Sequence, residues 1–402
     1  MAKSLEHLKA KAQLAAVKAL TKVISIPRPL VFVGADSALQ LCSNIQQIGV
    51  RHILIVTDKI LVELGVIAPI QQELKNLGVA VTVFSEVKPD PTFQIVESGI
   101  ALLNADACDG VLAVGGGSAI DTAKVIALAG ANHKSPKKLM GLLKARKPAL
   151  ALFTIPTTSG TGSEVTIGAV LSDNVTHQKG LVIDPKIVPL AAALDPNITK
   201  GMPNFITADT GLDALTHALE AWVSSFANTE SNYYAKAATK LIFENLETAY
   251  NDGQNIKARE AMALASHYAG LAINTTGVGY VHAIAHQLGA RYRIAHGRAN
   301  AVVMPHVFEF GRDVFEAKIA QLAKDIGVAD KNLTPAQATD TLFNKINDLL
   351  VTFKIEPKIK ELDKKDFSEI ITSVFSEAHG IYSVPKYMHS HDVETILNKI
   401  SV

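Results

Sequence analysis

The chain has 402 residues, 48% hydrophobic and 19% charged, which supports a large core and argues against disorder. Lys and Arg (39) against Asp and Glu (38) leave a net charge of +1, so nothing draws in a nucleic-acid backbone or an anionic membrane from a distance. Two cysteines, Cys42 and Cys108, are too few for a disulfide framework or an iron–sulfur cluster, and no apolar run reaches the ~18 residues of a membrane helix, so a reducing, cytoplasmic setting is expected.

The first 24 residues are rich in Lys and Ala, with Glu6 as their one acid. They read as a surface helix packed by Leu5, Leu8, Ala12 and Ala15, and not as an Arg-rich transit peptide, because no Arg precedes Arg28. Short runs rich in β-branched residues follow: Leu30–Val33, Ile53–Thr57, Val79–Phe84, Gly110–Val114 and Ala149–Ile155. Helix-like stretches separate the first four, with Gly49 and Gly78 at C-cap positions. Such alternation, with strands apolar on both faces, predicts a Rossmann-like parallel sheet covered on both sides. Four prolines between Pro185 and Pro203 read as a connection between domains. Beyond them the period becomes helical, with Leu212, Leu215, Leu219 and Trp222 striping Thr210–Ser225, and with Ala258–Ile273 and Val314–Ile326 alike. The expected architecture is an α/β domain over residues 1–200 and an all-helical domain over residues 201–402.

The fourth strand runs into Gly115-Gly116-Gly117-Ser118-Ala119-Ile120-Asp121. Glycines let the backbone approach a pyrophosphate, and the free amides and dipole of the next helix favour that anion. Ser118 is expected to cap the helix or to donate to a phosphate oxygen, and Asp121 to be a first-turn acid. Asp58 ends the second strand, where a carboxylate serves either as a plain N-cap or as a ribose acceptor that repels an added 2′-phosphate. A second loop, Pro156–Glu164, carries five hydroxyls and two glycines and can satisfy phosphate, sugar or carboxamide without adding charge.

Asp213 and His217 are i, i+4 neighbours on a predicted helix, on the face opposite the apolar stripe. His282 and His286 repeat that spacing in an apolar helix, where a buried imidazole needs a partner. His296 follows a break expected at Gly289. Asp213, His217, His282 and His296 together suit Fe2+ or Zn2+ and leave a coordination position open. His7, His52, His133, His177, His267, His306, His379, His389 and His391 read as structural or solvated, His267 as a satisfied core residue.

Gly115–Asp121, Pro156–Glu164, Thr207–Trp222 and Gly279–Pro305 together resemble the iron-containing (metal-dependent, group III) alcohol dehydrogenase family, in the family's order. The resemblance implies a nucleotide-binding α/β domain, a helical domain and a cleft between them. It makes Asp213, His217, His282 and His296 the metal ligands and puts His286 beside the nicotinamide and substrate as the catalytic group. It assigns Gly116, Gly117 and Ser118 to the pyrophosphate, Thr157, Thr158 and Lys179 to the cofactor, and Asp58 to NAD preference. Gln287 departs from the family's usual proline, and Ile273 from a common aromatic.

The activity implied is hydride transfer between NAD(H) and a small alcohol or aldehyde whose oxygen is bound to the metal, with His286 or a water and ribose chain relaying the proton. A homodimer or higher homo-oligomer is the family expectation. The alternatives are a dehydroquinate-synthase-like or glycerol-dehydrogenase-like enzyme of the same fold. The first needs several Lys and Arg near the metal, and residues 207–296 hold few beyond Arg291 and Arg293.

Overall fold

The computed structural model describes residues 25–173 and 179–402. The N-terminal helix reading, His7 and His177 lie outside the described residues.

Among the described residues nine strands occur in chain order: β1 (Leu30–Val33), β2 (His52–Val56), β3 (Ala80–Phe84), β4 (Gly110–Gly115), β5 (Gly141–Leu142), β6 (Ala151–Pro156), β7 (Gly168–Ser172), β8 (Lys179–Ile183) and β9 (Ala191–Leu194). Six form one sheet in the order β1-β9-β6-β4-β2-β3, parallel throughout. β5, β8 and β7 form a small mixed sheet. Alternation along the central strands explains the large sheet. Leu54, Val56, Val111, Ala113 and Leu152 point into one core, and Ile53, Ile55, Leu112, Val114, Phe153 and Ile155 into the other. Both faces are buried, so these strands are apolar nearly throughout, with His52 and Thr154 as the polar exceptions.

The five expected strands are present with ends shifted by at most two residues. The proline-rich stretch differs from its reading as a connection. It holds β9, inserted between β1 and β6, with Ala191 to Leu194 all buried. A run of three alanines carries little β-propensity, so the strand gave no local signal. Gly289 likewise does not break its helix, which runs Tyr280–Tyr292 and ends where Arg293 turns left-handed at φ 57°. One interior glycine costs only about 1 kcal/mol, too little to break a packed helix.

The described residues form two compact units. One joins Ile26–Pro203 to Asp252–Gly270 and contains both sheets. The other is built from Asn204–Asn251 and Leu271–Val402 and is helical, with helices Asn204–Val223, Thr229–Asn251, Tyr280–Tyr292, His296–Asp325, Pro335–Thr352, Phe367–Ala378 and Ser390–Ile400. The Asn204–Val223 helix is buried nearly all round from Thr207 to Val223, so Asp213 and His217 are interior although they face away from the leucine stripe.

Candidate functional site

In the sheet unit, three candidate segments leave the carboxyl ends of adjacent strands. Asp58 follows β2, the glycine loop follows β4, and Thr157 and Thr158 follow β6. From β2 the chain moves outward to β3, and from β4 it moves the other way to β6, so β2 and β4 flank the reversal of strand order. In open α/β sheets ligands bind outside the strand ends at such a reversal. The helix Gly117–Asn132 starts here with Gly116 as N-cap and no side chain capping it. Ser118 therefore lies inside the first turn and does not cap, because the third glycine already takes the first helical position.

The glycines are required by the neighbouring hydroxyl loop. A Cβ on Gly116 would lie 3.2 Å from Oγ1 of Thr158, and one on Gly117 would lie 2.7 Å from Cγ2 of Thr161. Thr157 N–H donates to the Gly115 carbonyl at 3.0 Å, which ties the two loops together. Asp121 is spent internally. Its carboxylate accepts from Ser163 Oγ at 2.5 Å and from Val170 N–H at 2.8 Å. Burial raises its pKa, with Lys124 and the Ser163 bond opposing. Asp58 N-caps the next helix, accepting from Leu61 N–H at 2.9 Å. Lys179 opens β8 and pairs with Asp90 at 3.5 Å. His267 is a satisfied core histidine, its Nδ1 lying 3.2 Å from Glu164 Oε1.

In the helical unit, Asp213, His217 and His282 are buried, and one donor atom from each lies within 4.8 Å of the others. His217 and His282 stack with centroids 4.5 Å apart. His296, at the start of its helix, places Nε2 3.3 Å from Asp213 Oδ1. Burial pulls the His217 pKa down to about 4, which keeps a ligand nitrogen unprotonated. Burial also works against charge on His282, but Glu220 and Asp213 outweigh it and raise that pKa to about 9. Surroundings that favour a proton on this ring equally favour a metal cation. His217 Nδ1 and Asn300 Oδ1 are buried with no hydrogen-bond partner, the state a polar pocket shows when its own side chains do not saturate it. A carboxylate, imidazoles and unsaturated buried donors fit a divalent cation.

Three contributors escaped sequence reasoning. Glu220 accepts from Gly279 N–H at 2.7 Å and Val281 N–H at 2.8 Å and lies 2.7 Å from His282 Nδ1. It sits three residues past His217 on the same helix face, so the spacing signal was there. Asn300, four residues past His296, donates Nδ2 to Asp213 Oδ1 at 2.7 Å, and Nδ2 is 3.2 Å from Nε2 of both His282 and His296. Glu377 contacts His286 from 91 residues away and had no local signal. His286 stacks on His296 with centroids 5.2 Å apart and meets His282 edge-on at 5.9 Å.

Comparison with known proteins identifies the family. The family model described as iron-containing alcohol dehydrogenase matches residues 28–196, and the model for the C-terminal part of the Fe-containing alcohol dehydrogenase family matches 207–401. The NAD-dependent methanol dehydrogenase of Bacillus methanolicus is 36% identical over 370 residues, covering 92% of this chain and 97% of that protein. The 1,3-propanediol dehydrogenase of Klebsiella pneumoniae is 33% identical, covering 92% and 96%. The solved alcohol dehydrogenase from Oenococcus oeni superposes with a TM-score of 0.90 at 30% identity, covering 94% of this chain and all of that one. The chain belongs to the iron-containing alcohol dehydrogenase family and is an oxidoreductase that acts on alcohols.

Proposed function

We propose that this enzyme interconverts small alcohols and aldehydes with NAD as hydride carrier, and that Asp213, His217, His282 and His296 hold one divalent cation, Fe2+ or, as the alternative, Zn2+. The buried Asp213–His217–His282 cluster, with His296 against Asp213, carries the reading. A cation bound there supplies Lewis acidity to a substrate oxygen, and the nicotinamide supplies the hydride exchange. Relatives named for methanol and 1,3-propanediol support a substrate of a few carbons.

Each residue's part follows from its chemistry. Asp213 gives the donor set its negative charge. Glu220 fixes the ring of His282. His286 holds or moves the alcohol proton beside the donor set. Gly116, Gly117 and Ser118 present amides to the pyrophosphate, and Thr157 and Thr158 add neutral hydroxyls to the cofactor contacts. Asp58 accepts from the ribose diol and repels a 2′-phosphate. Asp121 supports the cofactor through Ser163, and Lys179 lies toward the ribose. Nucleotide binding is assigned to residues 1–200 and metal chemistry to residues 201–402. Among the described residues no helix is long and apolar enough to cross a membrane. A cytoplasmic homodimer is the setting proposed, in keeping with the free, buried Cys42 and Cys108.

The test is NAD reduction by short primary alcohols with Fe2+- or Zn2+-loaded protein, before and after chelation, alongside His282→Ala. Chelation should abolish turnover, and the variant should lose metal while keeping its far-UV spectrum. Turnover indifferent to chelation, or a variant with full metal content, would overturn the assignment.

A further inference from the structure

His286 is held from one side by a carboxylate network. Its Nδ1 lies 2.5 Å from Glu377 Oε1, which also accepts from Tyr382 OH at 2.5 Å, while Oε2 accepts from Gln287 Nε2 at 2.8 Å. Both oxygens are thus engaged, and the carboxylate cannot rotate without breaking a bond. Gln287 is the residue that departs from the family's usual proline, and a proline has no side-chain donor to offer here. Glu377 also sits one residue from the end of the Phe367–Ala378 helix. The helix dipole disfavours an anion at that end. Burial disfavours the charge as well, yet Tyr382 and Gln287 each donate to one of its oxygens, an arrangement that favours the carboxylate form and marks a built feature.

We propose that Glu377, clamped by Tyr382 and Gln287, is the positioning residue that holds His286 as the Nδ1-protonated tautomer beside the metal-ligand cluster. An ionised carboxylate only accepts hydrogen bonds, so Nδ1 carries the hydrogen and Nε2 is left in the acceptor form. The same contact fixes the ring plane, which stacks on His296. The arrangement parallels the acid–imidazole pairs in which a wrong tautomer, with geometry intact, costs several orders of magnitude in rate. This inference rests on the reading of His286 as the proton-handling group.

The experiment uses metal-loaded enzyme with ethanol and NAD, and compares His286→Ala, Glu377→Leu, Tyr382→Phe and the double variant His286→Ala/Glu377→Leu; leucine removes the acceptor, whereas a carboxamide oxygen would still accept. Metal content, kcat, KM and the solvent deuterium isotope effect on kcat are measured. Glu377→Leu should keep stoichiometric metal and a KM within about threefold, yet lose roughly 10²-fold in kcat, the lower bound for a general acid–base contribution. Its isotope effect should rise, because proton transfer becomes more limiting. The double variant should be no slower than His286→Ala, since the two residues act as a unit. If His286→Ala turns over like wild type, the reading of His286 fails and the positioning role falls with it. If His286→Ala is slow but Glu377→Leu is not, or if their losses multiply, the reading of His286 stands and the positioning role is overturned. Should Glu377→Leu fail to fold, Tyr382→Phe decides the matter: a smaller fall in kcat with unchanged metal supports the clamp, and wild-type kcat refutes it.

Discussion

The Glu220 carboxylate and the His282 imidazole are joined at 2.7 Å, and the same carboxylate accepts two backbone amides at the start of the helix that carries His282. One side chain therefore orients a candidate ligand and anchors its helix. Loss of such an outer partner typically costs 10–100-fold in metal affinity. Glu220→Ala should weaken metal binding by about that factor, measured by competition with a chromophoric chelator, and should lower the melting temperature even without metal. Glu220→Gln should do less, because a carboxamide oxygen still accepts. Unaltered affinity in the Ala variant would detach Glu220 from the site.

Gly297 follows His296, and a Cβ there would overlap the backbone carbonyl of Asp209. The start of the His296–Asp325 helix can approach the Asn204–Val223 helix this closely only with glycine. Gly297→Ala should destabilise by about 1–3 kcal/mol, the usual cost of overpacking, and should displace His296. Calorimetric melting and metal titration check both effects, and a variant that melts and binds like wild type would contradict the packing argument.

Asp58 caps its helix through Leu61, so its reading as a ribose acceptor needs a test that capping alone would not pass. Asp58→Gly costs a cap only a few tenths of a kcal/mol. It should nevertheless narrow the ratio of kcat/KM for NAD over NADP by on the order of tenfold, equivalent to about 1.4 kcal/mol of removed repulsion. A wild-type enzyme that prefers NADP would disprove the assignment.

Lys124 is buried beneath the hydroxyl loop, donating to the carbonyls of Thr166 and Gly168 at 2.8 Å each. Burial lowers its pKa to about 8, with Asp121 and Glu164 resisting. The unfolded chain holds that proton more tightly than the native state. The resulting cost is complete below about pH 8 and is relieved as pH rises toward the ordinary value of 10.5. Wild type should therefore gain melting temperature relative to Lys124→Met between pH 8 and 10. A constant difference across that range would show that the ammonium is not penalised.

Much of the sheet was legible because β2, β4 and β6 are nearly continuous apolar runs, with a glycine loop after β4 and a hydroxyl loop after β6. β9 was not, since its three alanines carry little β-propensity. In the helical unit, i, i+4 spacing exposed Asp213 with His217 and His282 with His286. The same spacing reaches Glu220, three residues past His217, and Asn300, four past His296 on the next helix. Glu377 lay beyond any such rule, because helical spacing is local while its contact with His286 spans 91 residues.

β9 also orders events during synthesis. Among the described residues β1 pairs only with β9, register Leu30 to Ala191, and the helix after β1 is tethered across 157 residues by a hydrogen bond from Ala38 N–H to the Asp195 carboxylate. Until the ribosome has passed that point, β1 and its helix have no place in the sheet, and β6 presents an open edge. β1, made early, is thus among the last of the described strands to be seated. Contacts this distant carry the loop-closure cost before they return any stability, which slows folding and leaves a bare strand edge open to mispairing meanwhile.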